Sequence, residues 1–401
     1  MFFAFKGEHT DGHKYVQKVL ETRDCYAVID DTDYHTDDRT ILVEDVLKCL
    51  QDLANYHRRA YTGPVLALTG SNGKTTTKEL MVAALAVEMK VHSTKGNYNN
   101  HIGVPLTILE ANMNDDIWII EMGANKLGDI KELCLIAEPE FGLITNIGSA
   151  HIEGFGSQEN ILIGKTELYD FIEEHEGMLF VNKHDEVLLN RVPENIELKL
   201  YPDESLKIRS KGLFIEIEDL NDGKNYLSSL FGKYNTVNIQ AAYGIASYFG
   251  VQRVNALKAI AAYKAEMNRS QVIQLDSLCL IMDAYNANPS SMLVSIQNFA
   301  ELEHEKKILF LGDMKELGDD EIQMHADILE ELEKHSWKRV VLVGPLFQQA
   351  DKSNSYECYL STAELIGAYE NDLHQFEGST CLFKASRSIG LEKFAERLQN
   401  I

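Results

Sequence analysis

The sequence predicts an α/β protein built on mostly parallel sheets, in three parts, and three observations carry that prediction. From residue 65 to about 262, short apolar runs alternate with stretches of helical periodicity, the pattern of a parallel sheet with crossover helices. A glycine loop ending in Lys-Thr joins the first of those runs to the first helix. After about residue 267 the alternation restarts, which implies a further α/β domain.

Composition sets the bounds. A chain of 401 residues, 45% of them apolar, has material for two or three ordinary cores. No apolar run approaches a bilayer span, and the N-terminus lacks a basic region followed by an apolar core and a cleavage site, so a cytoplasmic protein with no membrane insertion is expected. Acidic residues outnumber basic ones 62 to 38; a formal charge of −24 would repel a phosphate backbone, which argues against nucleic acid as a partner. Cys25, Cys49, Cys134, Cys279, Cys358 and Cys381 are scattered, with no C-x-x-C pair, and read as reduced, buried thiols, neither a zinc site nor a disulfide framework.

Residues 1–61 contain a strand-like start (2–5), the loop G-E-H-T-D-G-H, a helical stretch at 14–22, a strand C-Y-A-V-I-D and a helix at 43–59. Thr62-Gly63-Pro64 then forms a hinge. Residues 65–78 read V-L-A-L-T-G-S-N-G-K-T-T-T-K: strand, phosphate loop, helix. A polyphosphate needs inward-pointing backbone N–H groups with no Cβ in the way, which Gly70 and Gly73 permit, and the following helix adds its positive end. Lys74 would reach the terminal phosphates and the Thr75 hydroxyl a Mg²⁺ position. The loop is the short form G-x-x-G-K-T, since Leu68 stands where the longer pattern has its first glycine. The alternative, a plain glycine turn between a strand and a helix with an exposed lysine, is disfavoured by strand, glycines, Lys and Thr standing in the right order. Further strands are expected at 117–121 and 142–146, with a helix at 128–136, a strand-rich piece at 198–220 and helices at 235–249 and 254–262. The last part should place strands at 279–282, 308–311, 340–343 and 381–383.

Ligands of open α/β sheets collect at the C-terminal ends of the strands, and several polar groups stand there. Glu121 ends the second core strand as a metal ligand or water orienter, and the third leads through T-N-I-G-S-A-H to His151. Alone, such a glutamate caps a helix or is solvated, and such a histidine is a satisfied surface residue; their shared edge with Lys74 and Thr75 favours a metal role. Lys165, on a helix opening near Gln158, reads locally as a solvated cation. D-A-Y-N-A-N-P, residues 283–289, supplies a carboxylate and two amides; Asn288 before Pro289 is either a helix cap or part of a nucleotide contact. G-D-M-K-E-L-G (312–318) and K-A-S-R (384–387) end two later strands on the same edge.

Taken in order, T-G-S-N-G-K-T-T-T-K, G-N-Y-N-N-H-I-G-V-P, E-M-G-A, residues 146–156, Lys165 with Glu167, D-A-Y-N-A-N-P and G-D-M-K-E-L-G resemble the Mur ligase family of peptidoglycan synthesis over nearly the whole chain. Y-N-A-N-P resembles its D-alanyl-D-alanine-adding type, whereas the type that adds the third residue would read Y-A-H-x-P-D and carry D-N-P-R. The resemblance implies an N-terminal UDP-substrate domain (1–62), a central ATPase domain (63–265) and a C-terminal Rossmann-like domain (266–401), acting as a monomer. It implies an ATP- and Mg²⁺-dependent ligase that phosphorylates the carboxylate of UDP-N-acetylmuramoyl-tripeptide and lets the amine of D-alanyl-D-alanine attack the acyl phosphate.

Position by position, Gly70, Ser71, Asn72, Gly73, Lys74, Thr75 and Thr76 resemble the ATP loop, with Asn238 at the adenine side, Arg269 at the terminal phosphates and Asp283 at the ribose. Thr75 and Glu121 resemble ligands of the nucleotide Mg²⁺, and His151 a ligand of a second metal. Lys165 matches a lysine that the family converts with CO₂ to an anionic carbamate; with Lys74, Glu121 and His151 it makes the implied catalytic set. Asn97, Asn99, Asn100, Asn286 and Asn288 match substrate-side positions, and Lys384, Ser386 and Arg387 the edge facing the incoming dipeptide. Three departures stand out: the chain starts after a Ser/Asp/Arg-type segment, so part of the uridine-nucleotide site is expected to be absent; Tyr234 replaces a common histidine; and Ala385 replaces a glycine where backbone could approach a ligand. Rival readings are another Mur-type or folylpolyglutamate-type ligase, or a non-catalytic ATP-binding relative.

Overall fold

In the computed structural model, which describes residues 1–266 and 268–399, the chain opens on a small parallel sheet. Its strands are β1 (Phe2–Phe3), β2 (Ala27–Ile29) and β3 (Thr40–Leu42), with helix α1 (Val16–Leu20) between the first two. The strand expected at 2–5 is shorter than its pattern, and the helix expected at 14–22 begins as a 3₁₀ turn at Gly12–Tyr15. Helix α2 (Val46–Ala60) starts at Asp45, whose carboxylate accepts from the Lys48 backbone N–H at 2.8 Å. Its buried Arg58 donates to the carbonyls of Ala137 and Glu138, each at 2.7 Å, and so satisfies the open end of a helix in the next part of the chain.

That next part is a six-stranded sheet whose neighbours all run parallel. It comprises β4 (Val65–Thr69), α3 (Lys74–Leu85), β5 (Val91–Ser93), α4 (Gly103–Glu110), β6 (Ile117–Glu121), α5 (Asp129–Ala137), β7 (Phe141–Ile144), α6 (Ile152–Phe155), α7 (Gln158–Glu174), β8 (Met178–Asn182), α8 (Glu186–Leu189) and β9 (Glu197–Tyr201). The order β5-β6-β4-β7-β8-β9 puts β4 beside both β6 and β7, so successive crossovers diverge from it. A crevice opens where they do, at the C-terminal end of β4. V-L-A-L-T is buried at every position because helices cover both faces, which is why it reads as a continuous apolar run.

The strand-rich piece divides: β9 joins the parallel sheet, while β10 (Leu206–Lys211), β11 (Phe214–Asp219) and β12 (Asn225–Ser228) form an antiparallel meander. α9 (Asn235–Tyr248) and α10 (Arg253–Ala262) then pack with α3 in the core on one face.

The last part is a second six-stranded sheet, β13 (Gln271–Gln274), β14 (Leu278–Asp283), β15 (Lys307–Gly312), β16 (Arg339–Val343), β17 (Glu357–Tyr359) and β18 (Ser379–Lys384), ordered β13-β14-β18-β15-β16-β17 and antiparallel only at β13. Helices α11 (Pro289–Ala300), α12 (Glu321–Glu333), α13 (Pro345–Ala350), α14 (Thr362–Tyr369) and α15 (Glu392–Leu398) cover its two faces over separate cores. Met267, where the third domain was expected to begin, and residues 400–401 lie outside the described residues. All six cysteines are free, but only Cys134, Cys279 and Cys381 are buried; Cys25, Cys49 and Cys358 are half-exposed, correcting the expectation of six buried thiols. Among the described residues no helix is long and apolar enough to cross a membrane.

Candidate active site

The phosphate loop is built on two glycines held in backbone conformations that other residues rarely adopt. Gly70 and Gly73 have φ of 141° and 78°; a Cβ on the first would stand 2.0 Å from Thr145 Oγ1, and on the second 3.0 Å from the Asn238 amide. Gly73 starts α3 directly, so the helix opens at Lys74. The loop is held from β7, which ends two residues earlier than expected because Thr145 and Asn146 turn toward it. Thr145 Oγ1 and Asn146 Nδ2 donate to the Asn72 carbonyl at 2.7 and 2.9 Å, and Asn72 N donates to Asn146 Oδ1 at 3.1 Å. Lys74 Nζ donates to the Gly70 carbonyl at 2.6 Å.

Glu121 meets this loop as its strand position demands. Thr75 Oγ1 and Asn99 Nδ2 both donate to Glu121 Oε1, at 3.1 and 2.8 Å, while Oε2 is buried with no hydrogen-bond partner. His151 sits in left-handed backbone at φ 58° ahead of α6, its Nδ1 against the Glu316 carboxylate of the facing domain.

Between the two large sheets lies a cleft of about 1040 Å³, and most of the predicted site residues line it. From the central side come Ser71, Asn72, Gly73, Lys74, Thr75, Thr76, Asn97, Asn99, Asn100, Glu121, His151 and Asn238; from across it come Arg269, Asp283, Asn286, Asn288 and Lys384. Gly70, Lys165, Ser386 and Arg387 are not among the lining residues: Gly70 is packed under Thr145, and Ser386 is buried, its Oγ accepting from Lys315 N at 3.0 Å. Asn100 Oδ1 also accepts from Gly103 N at 2.8 Å, fixing the start of α4. Of the two readings of D-A-Y-N-A-N-P, the helix cap is realised. Asn288 forms a full capping box at the start of α11, and its Nδ2 donates to Asn72 Oδ1 at 2.8 Å across the cleft. Asn72 Nδ2 in turn donates to Ser290 Oγ at 3.0 Å. Asp283 accepts from Ser295 Oγ at 2.7 Å and pairs with Lys384 Nζ at 2.9 Å.

Lys165 is the clearest correction to a local reading. It is fully buried on α7, its Nζ donating to the Ala124 carbonyl at 3.1 Å and 5.3 Å from the centre of the Phe155 ring. Burial, and then the neighbouring Lys74 charge, hold its ammonium well below the ordinary lysine range. Burial likewise lowers Lys74, with Glu121 opposing and Arg269 adding repulsion. Lys74 and Arg269 thus face each other across the cleft of a strongly acidic chain, with Lys165 buried beside Ala124, an arrangement suited to a polyanion. Ala385 is buried, and its methyl faces Gly312, where an added Cβ would come within 2.7 Å; the departure from glycine is absorbed inside the sheet and not at a ligand.

Sequence reasoning missed Tyr285, Asn125, Lys126 and Ser290, all of which line the cleft. Tyr285 lies inside the motif already singled out, but a tyrosine after a strand carries no signal for the partners it acquires from distant segments.

The residues suit the groups a nucleotide would bring. An unpartnered carboxylate oxygen beside a threonine hydroxyl is the sparse donor set Mg²⁺ accepts, its other positions falling to phosphate and water. Among the described residues no cluster of three His, Cys, Asp or Glu side chains forms a closed metal cage. A buried lysine held toward its neutral amine is the form that can react with CO₂.

A phosphate loop on a parallel sheet, facing a second α/β domain across a polar cleft, defines a nucleotide-dependent enzyme with its site between two halves. The Mur ligase middle-domain family matches residues 68–246, and the Mur ligase glutamate ligase domain matches residues 268–387. The UDP-N-acetylmuramoyl-tripeptide-D-alanyl-D-alanine ligase of Bacillus subtilis is 33% identical, covering 99% of this chain and 90% of its own. Crystal structures of MurF from Acinetobacter baumannii (28% identical, TM-score 0.88, covering 99% of this chain and 90% of that one) and of MurF ligase from Thermotoga maritima in complex with ADP (27%, 0.86, 99% and 93%) share the architecture. The chain belongs to the Mur ligase family and, within it, to the MurF type.

Proposed function

We propose that this chain is an ATP-dependent, ADP-forming peptide ligase that adds D-alanyl-D-alanine to UDP-N-acetylmuramoyl-tripeptide in peptidoglycan precursor synthesis. The observation that carries the reading is the convergence of Lys74, Thr75 and Glu121 with the Asn72–Asn288 contact across one cleft. In this reading the loop from Gly70 to Thr76 binds the phosphates through its N–H groups, and Lys74 and Arg269 offset charge on the transferring phosphoryl group. The tripeptide carboxylate attacks the terminal phosphorus and ADP leaves; the dipeptide amine then attacks the acyl carbon, loses its proton, and inorganic phosphate departs.

Thr75, Glu121 and His151 are the residues that would hold magnesium, which screens phosphate charge. Lys165, as its CO₂ adduct, would add an anionic ligand in place of a repelled ammonium. Asn238 and Asp283 serve the nucleoside, Asn97, Asn99, Asn100, Asn286 and Asn288 the tripeptide side, and Lys384, Ser386 and Arg387 the dipeptide. Domains at 1–62, 63–265 and 266–401, a monomeric state and a cytoplasmic setting belong to the same proposal; the change of sheet on either side of the central unit supports the division.

The test is phosphate release with ATP, Mg²⁺ and UDP-muramoyl-tripeptide, comparing D-alanyl-D-alanine with D-alanine, L-lysine, diaminopimelate and glutamate. Release should depend on the dipeptide. Release that depended on glutamate would assign the chain to a sister ligase, and release with none of the amines would favour a non-catalytic relative.

A further inference from the structure

Arg269 and Arg387 lie 118 positions apart, yet both turn to the same side chain. The Arg269 guanidinium is 3.4 Å from the centre of the Tyr285 ring, and that of Arg387 is 5.3 Å from it, with Arg387 Nη1 3.5 Å from the Tyr285 hydroxyl. Arg269 Nε is buried without a hydrogen-bond partner, and among the described residues neither arginine pairs with a carboxylate. In a chain with a net charge of −24, two guanidinium groups kept off the many available carboxylates have their charge free for an anion that is not part of the protein.

The backbone is arranged to present the first of them. Asn268 and Ser270 flank Arg269 with φ of 57° and 55°, left-handed values that only a tied-down turn maintains in non-glycine residues. The tie is local to the cleft: Ser270 N donates to Asp283 Oδ1 at 3.2 Å, two residues before Tyr285, and Ser270 Oγ shares a hydrogen bond of 2.7 Å with the Tyr234 hydroxyl. Arg269 lines the cleft with Lys74 and acts on it electrostatically, so its charge reaches the phosphate loop, while Arg387, exposed just after β18, meets the same ring from outside the cleft lining.

We infer that Tyr285 is a positioning residue: its ring is a shared platform that fixes one arginine toward the nucleotide phosphates and a second toward the carboxylate of the incoming dipeptide. The inference rests on the ligase reading of the cleft. A planar guanidinium keeps all its N–H donors while its face is occupied by an aromatic ring, so stacking orders the group without consuming its capacity to bind an anion. A carboxylate partner would order it equally well and neutralise it. One ring under two cations also ties the two anion-binding groups together, so that loss of the ring loosens both substrates at once.

The test measures KM for ATP and for D-alanyl-D-alanine separately, together with calorimetric affinity for ADP, in the full chain and in R269M, R387M, Y285F and Y285L. R269M should weaken ADP and ATP, and R387M the dipeptide. Y285L should raise both KM values by about threefold to tenfold, the span expected for losing an aromatic–cation contact at a partly exposed site. For each substrate it should add little to the arginine variant that already weakens that substrate, while still raising the other KM. Y285F keeps the ring but not the hydroxyl, and should restore ADP affinity to within about twofold while leaving a smaller rise in the dipeptide KM. A purely structural tyrosine would lower kcat or melting temperature without this split. If both arginine variants weaken their substrates and Y285L moves neither KM, the platform is wrong while the ligase reading stands. If the arginine variants themselves change neither substrate, the assignment of the two anion sites fails first.

Discussion

At the scale of single residues, the cleft works through groups whose ordinary chemistry the fold has altered. Lys165 shows how far this goes: the same side chain that reads as a solvated cation on an amphipathic helix becomes a buried amine beside Ala124 and Phe155. Its depressed proton affinity has a sign that can be checked. Between its lowered folded value and the ordinary lysine value of about 10.5, the unfolded chain binds the extra proton, so this residue opposes folding at low pH and the opposition fades as pH rises through that window. Truncation therefore need not unfold the protein, and Lys165→Ala is a usable probe. It should reduce turnover by at least about a hundredfold, the usual scale for removing a preorganised charged group. Added formate or acetate should restore part of the rate by placing a small carboxylate in the space vacated. Full activity in Lys165→Ala would remove the residue from the mechanism.

At the scale of elements, the C-terminal helices are held by polar ties as well as by their cores. Glu331, on α12, accepts from Gln297 Nε2 of α11 at 3.0 Å and from Lys334 Nζ at 2.7 Å. Lys334 first, then Gln297, hold its carboxyl down at about 2. A carboxyl with a lowered folded value stabilises the fold above its ordinary range near 4.5, and that contribution is lost as pH falls toward 2. Lys334 is mostly exposed, so the contribution should be about 1 kcal/mol and not the full value the shift implies. Glu331→Gln should lower the melting temperature by roughly 2–4 °C at pH 6, with the difference from the parent closing toward pH 2.5. A constant difference across that range would mean that the amide's shape, not the charge, is what matters. Neither α11 nor α12 announces this tie in its sequence. Local signals were legible: the glycines before Lys74, the apolar run of β4, the Asn-Pro start of α11 and Glu121 at a strand end all carry their reason within a few residues. Contacts between segments more than a hundred positions apart, such as Arg269 with Arg387 through Tyr285 or His151 with Glu316, depend on how two sheets face each other. No short-range pattern encodes that.

At the scale of the whole molecule, the two large sheets meet over charges that neither could hold comfortably alone. Lys74 is repelled by the buried Lys165 behind it and by Arg269 across the cleft, and Asn72 in the phosphate loop is tied to Asn288 and Ser290 at the start of α11. A polyphosphate in the loop relieves the repulsion from the central side, and the loop transmits its order to the far side through those amides. Nucleotide should therefore stabilise both halves together, by about 2.7 kcal/mol at a hundred times its dissociation constant. The chain has two tryptophans, one in each half: Trp118 buried in β6, stacked 3.9 Å from Tyr61, and Trp337 beside Phe299 in the C-terminal core. Trp337→Phe leaves a reporter of central unfolding and Trp118→Phe a reporter of C-terminal unfolding. With ADP and Mg²⁺, both reporters should shift to higher temperature by the same amount. Ser290→Ala leaves the phosphate loop itself intact and removes one acceptor of the Asn72 amide; with it, the Trp118 signal should still follow ADP while the Trp337 signal lags. A Trp337 transition indifferent to ADP in the parent chain would show that the two halves respond independently, and that closure over the nucleotide is set by the substrate and not by the loop.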